Sequence, residues 1–399
     1  MDHHDAERQV SRRSFFKAAA VVASATLLPV AARSTHAAPQ HRENMVGVGL
    51  LLPTGTRAQA FAAGWQLAAN APTVVVYGNG VNVRAAATQL LATDGIQLIV
   101  AVLGSGQAAL LAPLFAQANV PLLVANLGED MQRPQHHNRW VFQHGLQSWQ
   151  ASWALGTAAA QGGARRFLLA LDYVDTGNDL SYSLERGFVA GGGNEVRTLV
   201  SDVPGTNRDL ATVIAAIRQW QPDAVYAGYH GAAAGRFLAA YREAGLERLP
   251  LLGGLGLHDA AQGGWRGAAG WQRGLLHAEN RAFVQAYEQN TGLIADGSAA
   301  LGYDSAGLVN HAAALLDGAK TTPAALLAAL EGVAFVGAAG ALRMDATTHA
   351  TVAPVYDYLE GAAKRAVPTV LAAPDAAHPD LRALADGLHS GTLGAYLFV

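Results

Sequence analysis

Hydrophobic and polar positions follow two rhythms along this chain. Short, nearly unbroken apolar runs at 46–52, 73–77, 98–103 and 121–125 have the character of parallel strands covered on both faces. Helix-length stretches at 58–71 and 83–92 separate them, and a third follows 98–103. There Leu111, Leu114, Phe115 and Ala118 recur at i, i+3, i+4 and i+7, giving one apolar helix face that starts after the break Gly104-Ser105-Gly106. Ser105 is the expected N-cap, and Pro113 is expected to bend the helix by removing one internal hydrogen bond. Strands alternating with helices of this length predict βαβ units, a parallel sheet and right-handed crossovers.

The rhythm restarts in the second half. The chain is expected to leave the first lobe around 143–149, run as a helix over 148–160, and open a second set of units with the strand 166–171 and the loop 172–177. Leu210, Val213, Ile214 and Ile217 form another helical face, with Thr206 or Asn207 as its cap, and Ala234, Phe237, Leu238 and Tyr241 the next, stopped at Gly245. Strands are predicted at 224–228, ending in Tyr229-His230-Gly231, and at 250–254. Helices over 279–288 and 299–316, a helix start at Thr322-Pro323 and late strands at 340–344 and 352–358 complete the pattern. The predicted fold class is α/β, with two Rossmann-like lobes of parallel sheet. The expected division is 44–145 with 275–340 in the first lobe and 146–274 with 341–399 in the second.

Residues 1–38 stand apart. Ser11-Arg12-Arg13-Ser14-Phe15-Phe16-Lys17 precedes an Ala/Val-rich run over 18–32 and the small-residue segment Thr35-His36-Ala37-Ala38, the layout of a cleaved export signal. Paired arginines followed by Phe-Phe-Lys make it the twin-arginine type, so the translocase of that route is an expected partner and the periplasm the expected location. The apolar middle is too short to span a bilayer, which takes about 20 apolar residues.

Composition narrows the function. A chain of 399 residues with 51% hydrophobic residues, a net charge of -3 and no basic block is suited to large α/β lobes and gives nucleic acid no electrostatic footprint. With no cysteine there is neither disulfide nor thiol nucleophile. His136-His137 are adjacent and lack a second cluster at ligand spacing, so they predict solvated loop residues, not a metal site, and no cofactor is expected.

Candidate chemistry gathers at the carboxyl ends of the strands, where an open parallel sheet takes its ligands. Ser105 and the outward amides of Gly106 and Gln107, at the positive end of a helix, suit a carboxylate, although a serine in that place also serves as a plain cap. The loop 126–130 leaves the same edge. An enzyme reading with Ser105 as nucleophile is weak, because Leu103-Gly-Ser-Gly106 lacks the spacing of a G-x-S-x-G elbow and no base or orienting acid can be set beside it.

Val46 to Gly55, Gly106 to Pro121, Asp223-Ala-Val-Tyr-Ala-Gly-Tyr229, Ala299-Ala-Leu-Gly-Tyr-Asp304 and Gly340-Ala-Leu-Arg-Met-Asp345 come in an order that resembles the periplasmic binding proteins of branched-chain amino acid type. These are the receptors of ATP-binding-cassette importers. The resemblance covers nearly all of the chain after the signal. It implies two lobes joined by about three crossovers and closing on a small molecule, with a membrane permease as partner. It also implies that Ser105 with the loop from Asn126 to Gly128 holds a ligand carboxylate, that Thr176 stands where such receptors usually carry an aromatic over the ligand, and that Tyr229 and Tyr303 face the cleft, while His230 could either donate to a carboxylate or be a solvated loop residue. Where amino-acid-binding members carry an acid for the ammonium group, this chain has Leu255, so the ligand is expected to lack an α-ammonium. Glu129, Asp130 and Asp259 are the nearest replacement acceptors, each in a loop where carboxylates are usually solvated. Trp149, Trp153 and Tyr173 are expected to pack in the core or hinge. A ligand-sensing module for a signalling partner would share the same cleft.

Overall fold

Two sheets organise the chain. The computed structural model describes residues 46–131, 138–173, 179–202, 209–254, 257, 264–316, 321–360 and 368–373. The expectations for the export signal, His136, His137, Thr176, Thr206, Asn207, Leu255 and Asp259 lie outside those residues.

The first sheet is built from β1 (Val48–Leu52), β2 (Thr73–Tyr77), β3 (Leu98–Val102), β4 (Leu122–Asn126), β5 (Val141–Gly145), β11 (Ala334–Gly337), β12 (Gly340–Asp345) and β13 (Ala350–Val352), in the order β11-β12-β13-β5-β4-β3-β1-β2. Its five early strands pair in parallel. β1, β3 and β4 are buried along their whole length, which is why their sequences are continuous apolar runs with no alternation.

Helices α1 (Thr56–Ala68), α2 (Val83–Leu91) and α3 (Ser105–Ala118) join these strands. Leu111 and Phe115 of α3 are buried against Leu122 and Val124 of β4, so the predicted apolar face points at the sheet. The cap is corrected: Gly104 holds the N-cap position, Ser105 is the first helical residue, and no side chain caps the helix. Pro113 sits inside a helix that continues to Ala118.

The second sheet holds β6 (Arg166–Asp172), β7 (Glu195–Ser201), β8 (Ala224–Gly228), β9 (Leu251–Gly253), β10 (Trp265–Ala269), β14 (Val355–Glu360) and β15 (Thr369–Leu371), in the order β15-β14-β10-β9-β8-β6-β7. Around it run α4 (Ser148–Gln161), α5 (Leu180–Ala190), α6 (Leu210–Trp220) and α7 (Gly231–Glu243). Val213 and Ile217 of α6 and Phe237 and Tyr241 of α7 are buried in one cluster with Val225 of β8, as the periodicity predicts. The cap of α6 is corrected from Thr206 or Asn207 to Asp209, whose carboxylate accepts the Thr212 amide at 2.8 Å.

After β10 the chain returns through α8 (Ala278–Thr291), α9 (Gly297–Leu315) and α10 (Pro323–Glu331). Phe283 and Tyr287 of α8 and Leu308 of α9 share a core with Phe61 and Trp65 of α1. The predicted start of α10 holds, with the Thr322 hydroxyl accepting the Ala325 amide at 3.2 Å and Pro323 at the first position.

The return to the second lobe is corrected. Strands β12 and β13 belong to the first sheet, and the chain enters the second only at β14, not at 341. The single strand expected over 352–358 is in fact the end of β13 and most of β14, in different sheets, with Ala353 and Pro354 between them. Pro354 has no amide to donate to a ladder, so a strand cannot run through it at full pairing.

Candidate functional site

Three crossovers join the sheets: β5 to α4, β10 to α8, and β13 to β14. Gln147 ties the first to the third, its Nε2 donating to the carbonyls of Gly145 and Thr351, both at 3.1 Å. The Gly270 amide ties the second to the first by donating to the Leu146 carbonyl at 3.1 Å. Beside them His144 is buried with Nδ1 3.1 Å from the Thr351 hydroxyl, and burial lowers its pKa to about 4, so the imidazole is neutral.

The loop leaving β4 is zipped along the first crossover. The Asn126 carbonyl accepts the Leu146 amide at 3.2 Å, Leu127 accepts the Ser148 amide at 3.1 Å and its hydroxyl at 2.6 Å, and Gly128 accepts the Trp149 amide at 2.9 Å. The Asn126 side-chain oxygen accepts the Gly128 amide at 2.9 Å, closing a tight turn in which Gly128 has φ of 71°. Past the turn the Met131 amide donates to the Asp179 carboxylate at 2.9 Å, and Met131 packs on Trp149 and Trp153. The loop therefore starts in the first sheet and ends docked on α4 and on the residue that begins α5.

This path carries Glu129 into a cleft between the sheets. The cleft has about 530 Å³ of atom-free space, part of it open to solvent. One wall is Leu127 and Glu129, from the edge of the first sheet. The opposite wall is the carboxyl edge of the second: Tyr226, Gly228, Tyr229 and His230 after and within β8, Gly254 and Leu257 after β9, and Ala268 and Ala269 of β10. Ser148 and Ser152 of α4 and Leu180 of α5 complete it.

Glu129 is only 1% exposed, and neither carboxyl oxygen has a hydrogen-bond partner within the protein. Burial, and then the charge of Asp130, raise its pKa to about 7; the amides of Glu129 and Leu127 offset part of this without closing a hydrogen bond. The expectation that this loop carboxylate is solvated is thus corrected.

The predicted site residues separate into three groups. Tyr229 and His230 line the cleft, although the Tyr229 hydroxyl lies 3.2 Å from the Ser201 hydroxyl and its ring stacks on Phe237 at 4.6 Å, in the core of the second lobe. Asn126 and Gly128 line a neighbouring groove with Gln147 and Trp149. Ser105, Gly106 and Gln107 stand at the start of α3, beside β4 on the carboxyl edge of the same sheet but outside the cleft lining, and Gln107 Oε1 is buried without a partner. Tyr303 is half-buried in α9, tilted against Phe283 at 4.9 Å, and is not among the lining residues.

Sequence reasoning gave too little weight to Glu129 and missed Ser152, Tyr226 and Leu180. The one sequence cue was an acid directly after the glycine of a strand-end loop. Among the described residues no cluster of three or more His, Asp or Glu is placed to hold a metal, and no helix is long and apolar enough to cross a membrane.

The sequence matches the family described as periplasmic binding protein over residues 77–358. Among solved structures, an ABC-transporter solute binding protein from Rhodopseudomonas palustris BisB5, in complex with 3,4-dihydroxybenzoic acid, is 24% identical with a TM-score of 0.66, covering 84% of this chain and 99% of that one. An R. palustris solute binding protein in complex with benzoate is also 24% identical, with a TM-score of 0.65 and coverage of 83% and 97%. A Desulfitobacterium hafniense ABC-transporter substrate-binding protein in complex with Leu is 21% identical, with a TM-score of 0.64 and coverage of 82% and 100%. No curated protein matches the chain. With two mostly parallel sheets, three crossovers and a cleft between their carboxyl edges, the chain belongs to the periplasmic binding protein family and has its type I fold.

Proposed function

We propose that this protein is a soluble periplasmic receptor that binds a small aromatic carboxylate between its lobes and delivers it to the permease of an ATP-binding-cassette importer. The observation that carries this reading is the cleft itself, small, walled mainly by Leu127, Leu180, Tyr226, Leu257, Ala268 and Ala269, and offering one carboxyl whose burial favours its neutral form. An α-ammonium group needs an ionised partner there, since an unpaired buried ammonium costs several kcal/mol. A flat apolar ring does not. Two of the relatives above hold aromatic acids and one holds leucine, so both ligand classes are compatible with the fold.

In this reading the ligand carboxylate sits at Ser105 and the amides of Gly106 and Gln107, and closure about the three crossovers brings that helix end to the ligand. Binding is the whole activity; no bond is made or broken. Export follows the twin-arginine route, with the signal over 1–38, so Arg12→Lys with Arg13→Lys should abolish periplasmic accumulation. Wild-type export of that variant removes the route.

A thermal-shift screen tests the ligand class. Benzoate, 4-hydroxybenzoate and branched-chain keto acids are compared with leucine, isoleucine and valine, because a ligand at a hundred times its dissociation constant stabilises the native state by about 2.7 kcal/mol. Shifts with the acids that lack an amine support the reading; shifts with the amino acids alone overturn it.

A further inference from the structure

Among the described residues of the cleft, Glu129 is the carboxyl for which the fold itself supplies no partner. Both its oxygens are shielded from solvent and make no hydrogen bond, while the other polar groups nearby are committed: the Ser148 hydroxyl donates to the Leu127 carbonyl and the Tyr229 hydroxyl meets Ser201. A carboxyl buried in this way is costly unless something donates to it, and the loop that places it is fixed by three backbone hydrogen bonds, the bond from the Met131 amide to the Asp179 carboxylate and the Gly128 turn. The position is therefore built, and it faces the cavity.

We propose that Glu129 is the specificity-determining residue of this cleft, its carboxyl oxygens accepting the ring hydroxyl of a hydroxylated aromatic acid. The inference rests on the aromatic-carboxylate reading given above and narrows it to the hydroxylated members of that class. A hydroxyl suits this position because a neutral donor can bond to the carboxyl in either protonation state and the walls around it are mainly apolar. His230, Tyr226 and Tyr229 are the other titratable side chains on the walls, and Asp130 is adjacent in the chain, so no arginine or lysine among the lining residues holds Glu129 ionised.

Isothermal titration of benzoate and 4-hydroxybenzoate into the wild type, Glu129→Gln and Glu129→Leu tests it. The wild type should bind 4-hydroxybenzoate roughly three- to tenfold more tightly than benzoate, the range set by one net hydrogen bond. Glu129→Leu should erase or invert that ratio, and Glu129→Gln, which retains an acceptor oxygen, should preserve part of it. Melting of the ligand-free variants establishes that each is folded; if Glu129→Leu is not, Glu129→Ala takes its place and must erase the same ratio. A ratio that is unchanged in the folded Leu or Ala variant overturns the assignment while leaving the receptor reading in place. Leucine binding by the wild type that is lost in the same variant overturns it in favour of an ammonium. Failure of every aromatic acid to bind the wild type overturns the underlying reading and this inference together.

Discussion

Gly270 and Leu146 lock two of the three crossovers together. The Gly270 amide donates to the Leu146 carbonyl at 3.1 Å, and a Cβ on residue 270 would overlap that same oxygen. The neighbouring contacts would be to the Leu146 carbonyl carbon and Gln147, so the crowding is against backbone and not against a movable side-chain tip.

Gly270→Ala should therefore push the second crossover away from the first. Overpacking of this kind costs about 1–3 kcal/mol. The expected outcome is a lower denaturation midpoint in the ligand-free protein together with weaker ligand binding, because closure turns about these segments. A variant with wild-type stability and affinity would show that the contact does not constrain the hinge.

Two buried groups of the first lobe respond to pH in opposite directions. Glu129 has its pKa raised from 4.5 to about 7 by burial, so the folded state holds its proton more tightly than the unfolded chain. Its contribution is fully present below pH 4.5 and is lost as pH rises through 7. His144 runs the other way: with its pKa lowered from 6.5 to about 4, its neutral form is favoured on folding, and stability falls as pH drops below 6.5. Comparing the wild type with Glu129→Gln isolates the first effect. From pH 5 to pH 8 the wild type should lose about 2–3 kcal/mol relative to the variant, as the shift in pKa requires. Parallel curves for the two proteins in urea denaturation across that range would exclude a buried, unpaired Glu129.

Asp304 shows a buried carboxyl with the opposite character. It is 1% exposed, and its two oxygens accept the amides of Ala338 at 2.6 Å and Ala339 at 2.9 Å, fixing the turn between β11 and β12. Burial still raises its pKa to about 7, the two amides offsetting only part of the desolvation. Asp304→Asn would turn an amide donor toward one of the two backbone N–H groups, leaving both donors unsatisfied. The expected loss is on the order of 1–3 kcal/mol in denaturant unfolding. Ligand affinity should stay within about twofold, since Asp304 lies outside the cleft lining; a large affinity loss in a folded variant would tie this turn to binding.

Much of the architecture was legible because strands buried on both faces and amphipathic helices leave different signatures. The apolar runs of β1, β3 and β4 and the faces of α3, α6 and α7 match the structure, since their burial is a local property of spacing. Strand β7 was not legible: as an edge strand it is mostly exposed or half-buried, and its sequence Glu195-Val-Arg-Thr-Leu-Val-Ser201 is neither a continuous apolar run nor a regular alternation. The site was harder still. The direction of Glu129 is set by the Gly128 turn and by the docking of its loop on Ser148, Trp149 and Asp179, residues 19 to 50 positions further along the chain, and no periodicity reports such contacts. The aromatic residues show the same limit: Tyr229 lines the cleft with its ring stacked on Phe237, while Tyr303 packs against Phe283 and is not among the lining residues.

Ser105 gives the sharpest test of where the ligand carboxylate sits. Gly104 and not Ser105 holds the cap position of α3, so the Ser105 hydroxyl is not committed to the cap, and the first amides of the helix lack intrahelical partners. The residue is half-buried and lies one strand away from Leu127 and Glu129. In the proposed closed state the hydroxyl and the amides of Gly106 and Gln107 reach the ligand's charged end, while Glu129 takes its far end. A hydrogen bond to a charged group is worth about 1.5–3 kcal/mol, so Ser105→Ala should weaken binding of the best aromatic acid by about tenfold or more. The ratio between hydroxylated and plain acids should be unaffected, because that ratio belongs to Glu129. Melting of the ligand-free variant should stay near wild type, as no cap is removed. Unchanged affinity by calorimetry would remove Ser105 from the site and move the carboxylate to the second wall, where His230 begins α7; a change in the hydroxyl ratio instead would mean that the ligand lies the other way round.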